Sequence, residues 1–482
     1  MSIILGVPET TVSSSCVSIC KEQPLHATPP PSILPFRILI ALLVLAACGT
    51  SPGTGNQPPP TARDATLPGT AAVRVEPWTD GRWIALAETL QSQFLVTMPK
   101  RKLVWLDAGL GVSREYLPPE GRFLIDFAVH PSGVATALEL EPAPGNDLFL
   151  KPIRAWLTRF LPDGTTVSAE LDSGIPDTGE TPPFLFSLDR GRIVPVGEDV
   201  LVAMRWSDNS VRAHRLEVRE GTLRPAWTTV VEPPAILFSI GIIGGGFDNF
   251  HQGDTSAFVY LDVDSSGTAY VVVPSTADVL PAHDAFFGEH LLDGADPTHF
   301  DYGVAIITRL GPDGSRSYAA LSGLGTNRRL LNVRATASTL WLAGRIRTGA
   351  EPTSWDGWLQ VFDAATGHAT AERQVDVQGG DMFWDLAPLD DGSVLCVGST
   401  NYTQNPNGLS VSDARDDLAV IVGPDGAVRA RLDLPAGPAG RGNEVTSVRV
   451  IEGRAMFAGV KNAPGTHAEV LSDAFLSLRP MP

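Results

Sequence analysis

Short apolar runs, each bounded by Gly, Asp or Pro, follow one another along the chain from Ala71 onward. The runs are rich in Val, Ile, Leu, Phe and Thr, and no convincing amphipathic helix interrupts them. The segment 417–461 shows the plan most clearly, with apolar runs at 419–422, 427–434, 445–451 and 454–460 and a turn after each. Runs of this length and composition predict β-strands, so the pattern indicates an all-β fold.

An apolar strand followed by a Pro-Asp-Gly turn recurs along the chain. The turns end at Gly164, Gly314 and Gly426, and a degenerate copy ends at Gly367. Proline presets φ for such a turn, aspartate bonds to nearby backbone, and glycine adopts positive φ. The spacing corresponds to a unit of about 50 to 60 residues with four strands, which is typical of the blades of a β-propeller.

Six such units can be counted, at 102–150, 151–208, 209–300, 301–352, 353–415 and 416–472. The run 476–479 then begins a unit that the chain does not finish. Three runs near the start, at 73–76, 83–87 and 93–98, form a unit without its first strand. Together with the run at 476–479 they would make one complete unit. Joining the two ends closes the ring and leaves no long sheet edge open. We therefore predict a β-propeller of seven four-stranded blades closed between the two termini, with six blades as the alternative.

The connections between strands fall into two length classes. Two kinds of connection are tight. We assign the Pro-Asp-Gly turns to the connection between the first and second strands, and turns such as that at 130–133 to the connection between the third and fourth. The remaining connections are long. Because these long connections leave the same end of an antiparallel blade, one face of the ring should be built of loops, where function is expected.

The repeats resemble a known family. They are similar to the SBBP-type repeats of bacterial secreted proteins. The similarity rests on Asp473-Ala474-Phe475-Leu476, on the Pro-Asp-Gly turns and on the Val263-Asp-Ser-Ser-Gly267 hairpin. The resemblance covers roughly 102–482, and it implies a seven-bladed propeller.

The N-terminal segment predicts export. Arg37 precedes an apolar run at 38–47, which is too short to span a bilayer, since that needs about 20 residues, but has the length of a signal-peptide core. The run ends in Leu45-Ala46-Ala47-Cys48, which resembles the lipobox of bacterial lipoproteins. The resemblance implies cleavage before Cys48, a diacylglyceryl group on its thiol, and acylation of the new amino terminus, for example with palmitate.

These features divide the chain into three parts. Residues 1–47 form the signal region, 48–70 the lipidated cysteine with a Gly/Pro-rich flexible tether, and 71–482 the propeller. Residues 1–33 do not fit a lipoprotein signal and suggest that translation starts later, at Leu34. By resemblance to lipoproteins of diderm bacteria, Gly49 favours the outer membrane, with the ring periplasmic or exposed at the cell surface.

Charge and cysteine content narrow the possible partners. The chain has 36 Lys and Arg against 54 Asp and Glu, a net charge of −18, which argues against a nucleic-acid partner. The four cysteines show no disulfide framework, and Cys396 lies in an apolar strand, where we expect a small buried side chain.

Two insertions, 241–254 and 281–301, leave the same end of one predicted hairpin and should touch. Imidazole and carboxylate are ligands of divalent metals, although no spacing here is diagnostic. The metal candidates are His251, His283, His290, His299, Asp284 and Asp301, with Asp248, Asp254 and Asp293 nearby. The alternative is a polar surface loop whose histidines satisfy turns, and no other cofactor is implied.

The sequence thus favours a monomeric, lipid-anchored binding or scaffold protein of the cell envelope. It would be attached to the membrane through its lipid and recognise a protein or glycan on the long-loop face. The alternative is a metal-assisted hydrolase or lyase with its site at 241–301. We favour binding over catalysis because the predicted propeller, 71–482, has no catalytic motif such as a G-x-S-x-G nucleophile elbow.

Overall fold

The strands of this chain form seven separate antiparallel sheets of four strands each. The computed structural model describes residues 62–89, 100–142, 153–173, 190–208, 210–219, 221–234, 258–275, 280–288, 303–325, 327–349, 354–401, 415–435, 437, 442–463 and 473–482. All of them lie in one compact unit, Pro58–Pro482. Besides the strands, these residues form one helix, α1 (Leu280–Phe287), and a single 3₁₀ turn (Thr79–Gly81).

From the second strand onward the chain fills one sheet after another. The N-terminal strand is β1 (Arg63–Pro68). Blade 1 contains β2 (Ala71–Pro77), β3 (Trp83–Thr89), β4 (Lys100–Leu106) and β5 (Val112–Tyr116), and blade 2 contains β6 (Phe123–Val129), β7 (Ala135–Pro142), β8 (Ile153–Phe160) and β9 (Thr166–Leu171). Blade 3 contains β10 (Gly191–Val196), β11 (Asp199–Arg205), β12 (Val211–Arg219) and β13 (Thr222–Glu232), and blade 4 contains β14 (Tyr260–Val263), β15 (Ala269–Ser275), β16 (Val304–Leu310) and β17 (Arg316–Gly323). Blade 5 contains β18 (Arg328–Ala335), β19 (Thr339–Arg347), β20 (Trp355–Asp363) and β21 (Ala369–Val375), and blade 6 contains β22 (Met382–Pro388), β23 (Val394–Thr400), β24 (Asp416–Val422) and β25 (Val428–Arg431). Blade 7 contains β26 (Gly442–Ile451), β27 (Arg454–Ala463) and β28 (Asp473–Pro480), with β1 as its fourth strand.

The first strands of the blades form an inner ring. Each of them packs against the first strand of the next blade, and β26 of the last blade packs against β2 of the first. The chain is therefore a seven-bladed β-propeller, as the repeat spacing predicted.

The core of the molecule consists of seven apolar clusters, one between each pair of neighbouring blades. Strand β23 shows why a blade strand can begin with four apolar residues in a row. Val394 and Cys396 face the cluster shared with blade 5, whereas Leu395 and Val397 face the cluster shared with blade 7. Side chains alternate between the two faces of a strand, so a strand covered on both faces must be apolar at every position. The prediction that Cys396 is a buried residue is confirmed, and burial raises the pKa of its thiol.

Ring closure occurs in a different blade from the one we expected. The predicted first strand at 476–479 is part of β28, the third strand of blade 7. β1 pairs with β28 in antiparallel register from Arg63 opposite Leu478 to Pro68 opposite Asp473, and completes that blade from its outer edge. The runs 73–76 and 83–87 lie in β2 and β3 of blade 1, and 93–98 lies outside the described residues. The predicted tether 48–70 is therefore wrong at its C-terminal end, because 63–68 is a strand.

The predicted unit boundaries are displaced by two strands. The turn ending at Gly164 joins β8 to β9, the third and fourth strands, and the turn at 130–133 joins β6 to β7, the first and second. Both turns nevertheless lie at one end of the blade, as predicted. We call that end the short-turn face, and the opposite end, where second strands lead to third and fourth strands lead to the next blade, the long-loop face.

Candidate functional site: the central cavity

The inner ring encloses a cavity of about 440 Å³, to which the first strands of all seven blades contribute. Its lining residues are Ala71, Ala72, Val73, Arg74, Leu86, Glu88, Arg101, Ile125, Asp126, Arg192, Phe258, Tyr260, Leu261, Arg329, Leu331, Asn332, Arg334, Trp384, Asp385, Arg415, Glu444, Thr446, Ser447, Arg449 and Val460. Every first strand begins at the long-loop face and ends at the short-turn face, because a tight turn follows it. The residue order within a strand therefore gives the depth of each side chain in the cavity.

The end of the cavity at the short-turn face, its base, is crossed by ion pairs between blades. Nη1 of Arg74 in blade 1 donates to both carboxylate oxygens of Asp126 in blade 2, at 2.7 Å each. Nε of Arg74 donates to Glu76 at 2.7 Å. Arg449 of blade 7 also donates to Glu76, with Nε 2.9 Å from Oε2. These contacts join blades 2, 1 and 7 in one network.

Asp385 of blade 6 extends this network to blade 5. Its Oδ2 accepts from Nη1 of Arg449 at 3.0 Å, and its Oδ1 accepts from Nη2 of Arg334 at 2.8 Å. The side-chain amide of Asn332 donates to Oδ1 as well, at 2.8 Å. Asp385 is 1% exposed, so this carboxylate has exchanged water for four protein donors or more.

Inner-strand carboxylates also accept backbone N–H groups of the next blade. Asp126 accepts from Ile193 at 3.1 Å, and Asp385 accepts from Val448 at 3.0 Å. Asp262 of blade 4 accepts from Ala335 of blade 5 at 2.7 Å. Each of these bonds fixes the height of one inner strand relative to its neighbour.

The network shifts the pKa values of its members in the directions that its charges require. Burial by itself raises the pKa of Glu76, but the attraction of Arg449 and Arg74 outweighs it and lowers this pKa to about 2. Burial lowers the pKa of Arg449, and the attraction of Glu76 and Asp385 reverses that effect and raises it. Asp262 behaves differently, because burial raises its pKa and Arg334 offsets only part of the rise.

The end of the cavity at the long-loop face, its mouth, has a different charge balance. Among the described residues, the lining contains seven arginines, Arg74, Arg101, Arg192, Arg329, Arg334, Arg415 and Arg449, and four acids, Glu88, Asp126, Asp385 and Glu444. Four of the arginines, Arg101, Arg192, Arg329 and Arg415, lie at strand ends on the mouth side, with the acids Glu88 and Glu444. The pair Arg101–Glu88 has an N–O distance of 2.9 Å and the pair Arg415–Glu444 one of 3.2 Å. Among the described lining residues the base has three arginines and two acids, Asp126 and Asp385, so the net positive charge of the lining is larger at the mouth. Glu76 and Asp262 add negative charge near the base from outside the lining.

Sequence reasoning missed this site, although part of it left a signal. Asp126 and Asp385 both stand seven residues before the glycine of a tight turn, Gly133 and Gly392, inside an otherwise apolar strand. An acid repeated at one position of a buried strand indicates a structural or binding partner. The arginines at the mouth show no such regular spacing.

The predicted metal ligands are only partly within the described residues. His283 and Asp284 lie in α1, and His251, His290, His299 and Asp301 lie outside the described residues, as do Asp248, Asp254 and Asp293. His283 is fully buried, with Nε2 3.4 Å from Nη2 of Arg316 and its ring against Phe287. Burial and the charge of Arg316 lower the pKa of His283 to about 4. The grouping of the two insertions into a metal site stays a prediction, and α1 itself was not predicted.

Cys48 and the whole signal region also lie outside the described residues. Within the described ranges, no helix has both the length and the apolar character needed to cross a membrane.

Comparison with known proteins adds only distant structural likenesses. No protein-family model and no curated protein matches the chain. Solved structures that resemble it include a Bacteroides caccae protein of unknown function, with 12% identity over 69% of this chain and 89% of the other and a TM-score of 0.33. Polysaccharide lyase Uly1 shares 8% identity over 85% and 90% of the two chains, with a TM-score of 0.43. The periplasmic gluconolactonase PpgL of Pseudomonas aeruginosa shares 12% over 75% and 84%, with a TM-score of 0.38. Likenesses this distant carry no argument about the function of this chain, and the fold rests on the strand pairing described above.

Proposed function

We propose that the protein is a lipid-anchored binding protein of the cell envelope, with SBBP-like repeats, whose central cavity takes an acidic group of a glycan ligand. The observation that supports this most is the charge of the cavity. In the part of the chain that the structure describes, its mouth has four arginines and two acids, whereas the net charge of the whole chain is −18. A cleft of one sign within a protein of the other attracts a ligand opposite in sign to the cleft.

The side chains at the mouth suit a carboxylate on a sugar ring. Guanidinium groups bind carboxylates in a planar, two-pronged geometry. Phe258 and Trp384 lie in the same lining and supply apolar ring faces on which a sugar can stack. Hydrogen bonds between inner strands of neighbouring blades, from Ile193 to Asp126, Ala335 to Asp262 and Val448 to Asp385, help to hold such groups at fixed distances.

Binding to a panel of acidic and neutral oligosaccharides, with acidic peptides included, tests the proposal. We expect the purified protein to retain acidic glycans, and the double variant Arg192→Met, Arg329→Met to lose at least about tenfold in affinity, since each charged hydrogen bond contributes roughly 1.5–3 kcal/mol. The control is Arg224→Met, which removes an exposed arginine from β13 on the rim of blade 3. Equal binding of neutral glycans, a preference for the peptides, or unchanged affinity in the double variant would contradict the proposal.

The lipid anchor is supported by the sequence at 37–48. We expect the protein to sediment with membranes and its mature form to begin at Cys48 with the mass of a diacylglyceryl group and an amide-linked acyl chain. Cys48→Ser should lack both modifications and shift out of the washed membrane fraction or remain uncleaved. Intact-mass spectrometry of the detergent-extracted protein measures this, and an unacylated mature protein would refute the anchor.

A further inference from the structure

A cluster of three carboxylates lies on the long-loop face at the junction of blades 5 and 6, apart from the insertions at 241–301. Asp356 is the second residue of β20, Asp376 directly follows β21, and Asp381 directly precedes β22. One carboxylate oxygen from each of the three lies within 4.8 Å of one from each of the other two.

Two of these acids are buried, which separates the cluster from an ordinary acidic surface. Asp381 is 0% exposed and Asp356 is 7% exposed, whereas Asp376 is open to solvent. Burying carboxylates beside one another is unfavourable unless a positive charge or hydrogen bonds compensate. For both buried acids, burial raises the pKa and the charge of Asp376 raises it further.

The hydrogen bonds of Asp381 leave one of its oxygens without a donor. Oδ2 accepts from the backbone N–H groups of Val377 at 2.6 Å and Gln378 at 3.2 Å. The hydroxyl of Thr400 offsets part of the rise in the pKa of Asp381, but it donates its proton to the carbonyl oxygen of Gln378. Oδ1 is therefore buried with no hydrogen-bond partner in the described part of the chain. A bound cation can supply the positive charge that a buried carboxylate oxygen without a hydrogen-bond donor needs.

We propose that Asp356, Asp376 and Asp381 bind a calcium ion that joins blade 5 to blade 6. Three carboxylates are hard oxygen ligands, which Ca²⁺ and Mg²⁺ prefer to softer metals. Oxygens within 4.8 Å of one another can share a Ca²⁺ ion, whose oxygen ligands lie about 2.3–2.6 Å away. Ca²⁺ accepts irregular coordination from carboxylates, whereas Mg²⁺ requires near-ideal octahedral geometry and retains most of its water. Solvent on the side of Asp376 supplies the remaining ligands.

The ion would act on the cavity through β22. This strand begins directly after Asp381 and carries Trp384 and Asp385, both of which line the cavity. The backbone N–H of Asp381 already donates to the carbonyl oxygen of Trp355 in blade 5 at 2.6 Å. A cation shared with Asp356 adds a second connection between the same two blades.

Calcium titration of the purified full chain in detergent, after removal of metal with a chelator, tests the site. Extracellular calcium modules bind with Kd values of roughly 0.1–1 mM, so the titration should extend to about 10 mM. We expect isothermal titration calorimetry to give one equivalent and the Tm to rise with Ca²⁺ until it saturates. No heat and no change in Tm over this range would overturn the proposal, and Mg²⁺ binding as tight as that of Ca²⁺ would overturn the assignment to calcium.

The variants distinguish a cation site from a merely structural cluster. Asp381→Asn keeps an acceptor for the two backbone N–H groups and removes one charge, so we expect the metal-free Tm to be equal to or above that of the wild type, with the calcium-dependent rise abolished. A structural role alone would lower the metal-free Tm instead and leave the calcium response in place. Asp376→Asn changes an exposed residue, folds without risk to the core, and should weaken binding by about tenfold through the loss of ligand charge. Asp390→Asn, an exposed acid in the next turn, is the control and should titrate like the wild type.

Discussion

At the scale of single residues, Asp385 shows how one buried carboxylate holds several blades. It lies in blade 6, accepts from Arg334 and Asn332 of blade 5, and accepts from Arg449 and the backbone of Val448 in blade 7. Because removal of one partner leaves the others buried and unpaired, such a residue is sensitive to substitution in a way that a surface ion pair is not.

The same network predicts a dependence of stability on pH. Glu76 has a pKa of about 2 in the folded protein, against an ordinary value of 4.5 for a glutamate carboxyl group. A folded pKa below the unfolded value contributes stability that is complete above pH 4.5 and is lost as the pH falls toward 2. The difference corresponds to roughly 3 kcal/mol. Glu76→Gln should therefore be less stable at pH 7 by about this amount and should lose less stability between pH 5 and pH 2 than the wild type.

Urea unfolding at a series of pH values measures this difference. Glu115→Gln is the matched control, because Glu115 is 44% exposed and pairs with Lys102 at the surface. We expect it to follow the wild-type curve. If Glu76→Gln and the wild type lose stability in parallel below pH 5, Glu76 is not the residue that titrates.

At the scale of elements, the Pro-Asp-Gly turns have similar backbones and different surroundings. Gly164 and Gly314 have φ values of +88° and +81°. A Cβ at Gly164 would meet nothing within 4 Å, whereas one at Gly314 would lie 2.6 Å from the indole of Trp227 in blade 3. The indole N–H of Trp227 donates to Pro312 of the same turn at 2.9 Å. The second turn is thus a contact between blades as well as a reversal of the chain.

Alanine at the two positions separates these roles. Gly164→Ala should cost about 1–2 kcal/mol, the penalty for a side chain in the left-handed region. Gly314→Ala should cost this and roughly 1–3 kcal/mol more, because the methyl group overlaps the Trp227 ring. Urea unfolding curves of the two variants give the difference directly, and equal losses would show that the indole moves aside freely.

The turns also show what the sequence could and could not predict about the blades. Pro, Asp and Gly determine a local backbone conformation, so the turn positions and the all-β class followed from nearby residues. Which strands a turn joins is a tertiary property, and our assignment was displaced by two strands. A signal was present, because the strand after the turn, such as Val428–Arg431, is mostly exposed and carries two arginines, as suits an outermost strand. The arginines of the cavity mouth come from distant parts of the chain, and only the closed ring brings them together.

At the scale of the whole molecule, the closure of the ring depends on a short N-terminal strand. β1 covers the edge of β28, and Ala65 and Leu67 pack against the cluster between blades 7 and 1. The side chain of Arg479 in β28 adds a bond to Asp64 at 2.8 Å. Without β1 the outer edge of blade 7 would present unpaired backbone groups.

A chain that starts at Ala71 should therefore be less stable than one that starts at Ala62. We expect a loss of several kcal/mol, at about 1 kcal/mol per lost hydrogen bond, and concentration-dependent association through the open edge. Thermal unfolding and light scattering measure the two effects, and a peptide of residues 62–70 added in trans should reverse both. A chain from Ala71 that is equally stable and monodisperse would show that β1 is dispensable.

The direction of β1 also determines at which face the preceding part of the chain joins the propeller. β1 starts beside Leu478, at the short-turn face, and ends beside Asp473, at the long-loop face. Whatever precedes β1 in the chain is consequently joined to the propeller on its short-turn side. If Cys48 carries the proposed lipid, the chain that leads from it joins the propeller at the face opposite the arginine-rich end of the cavity. The direction of one edge strand would then keep the attachment and the proposed ligand site on different faces.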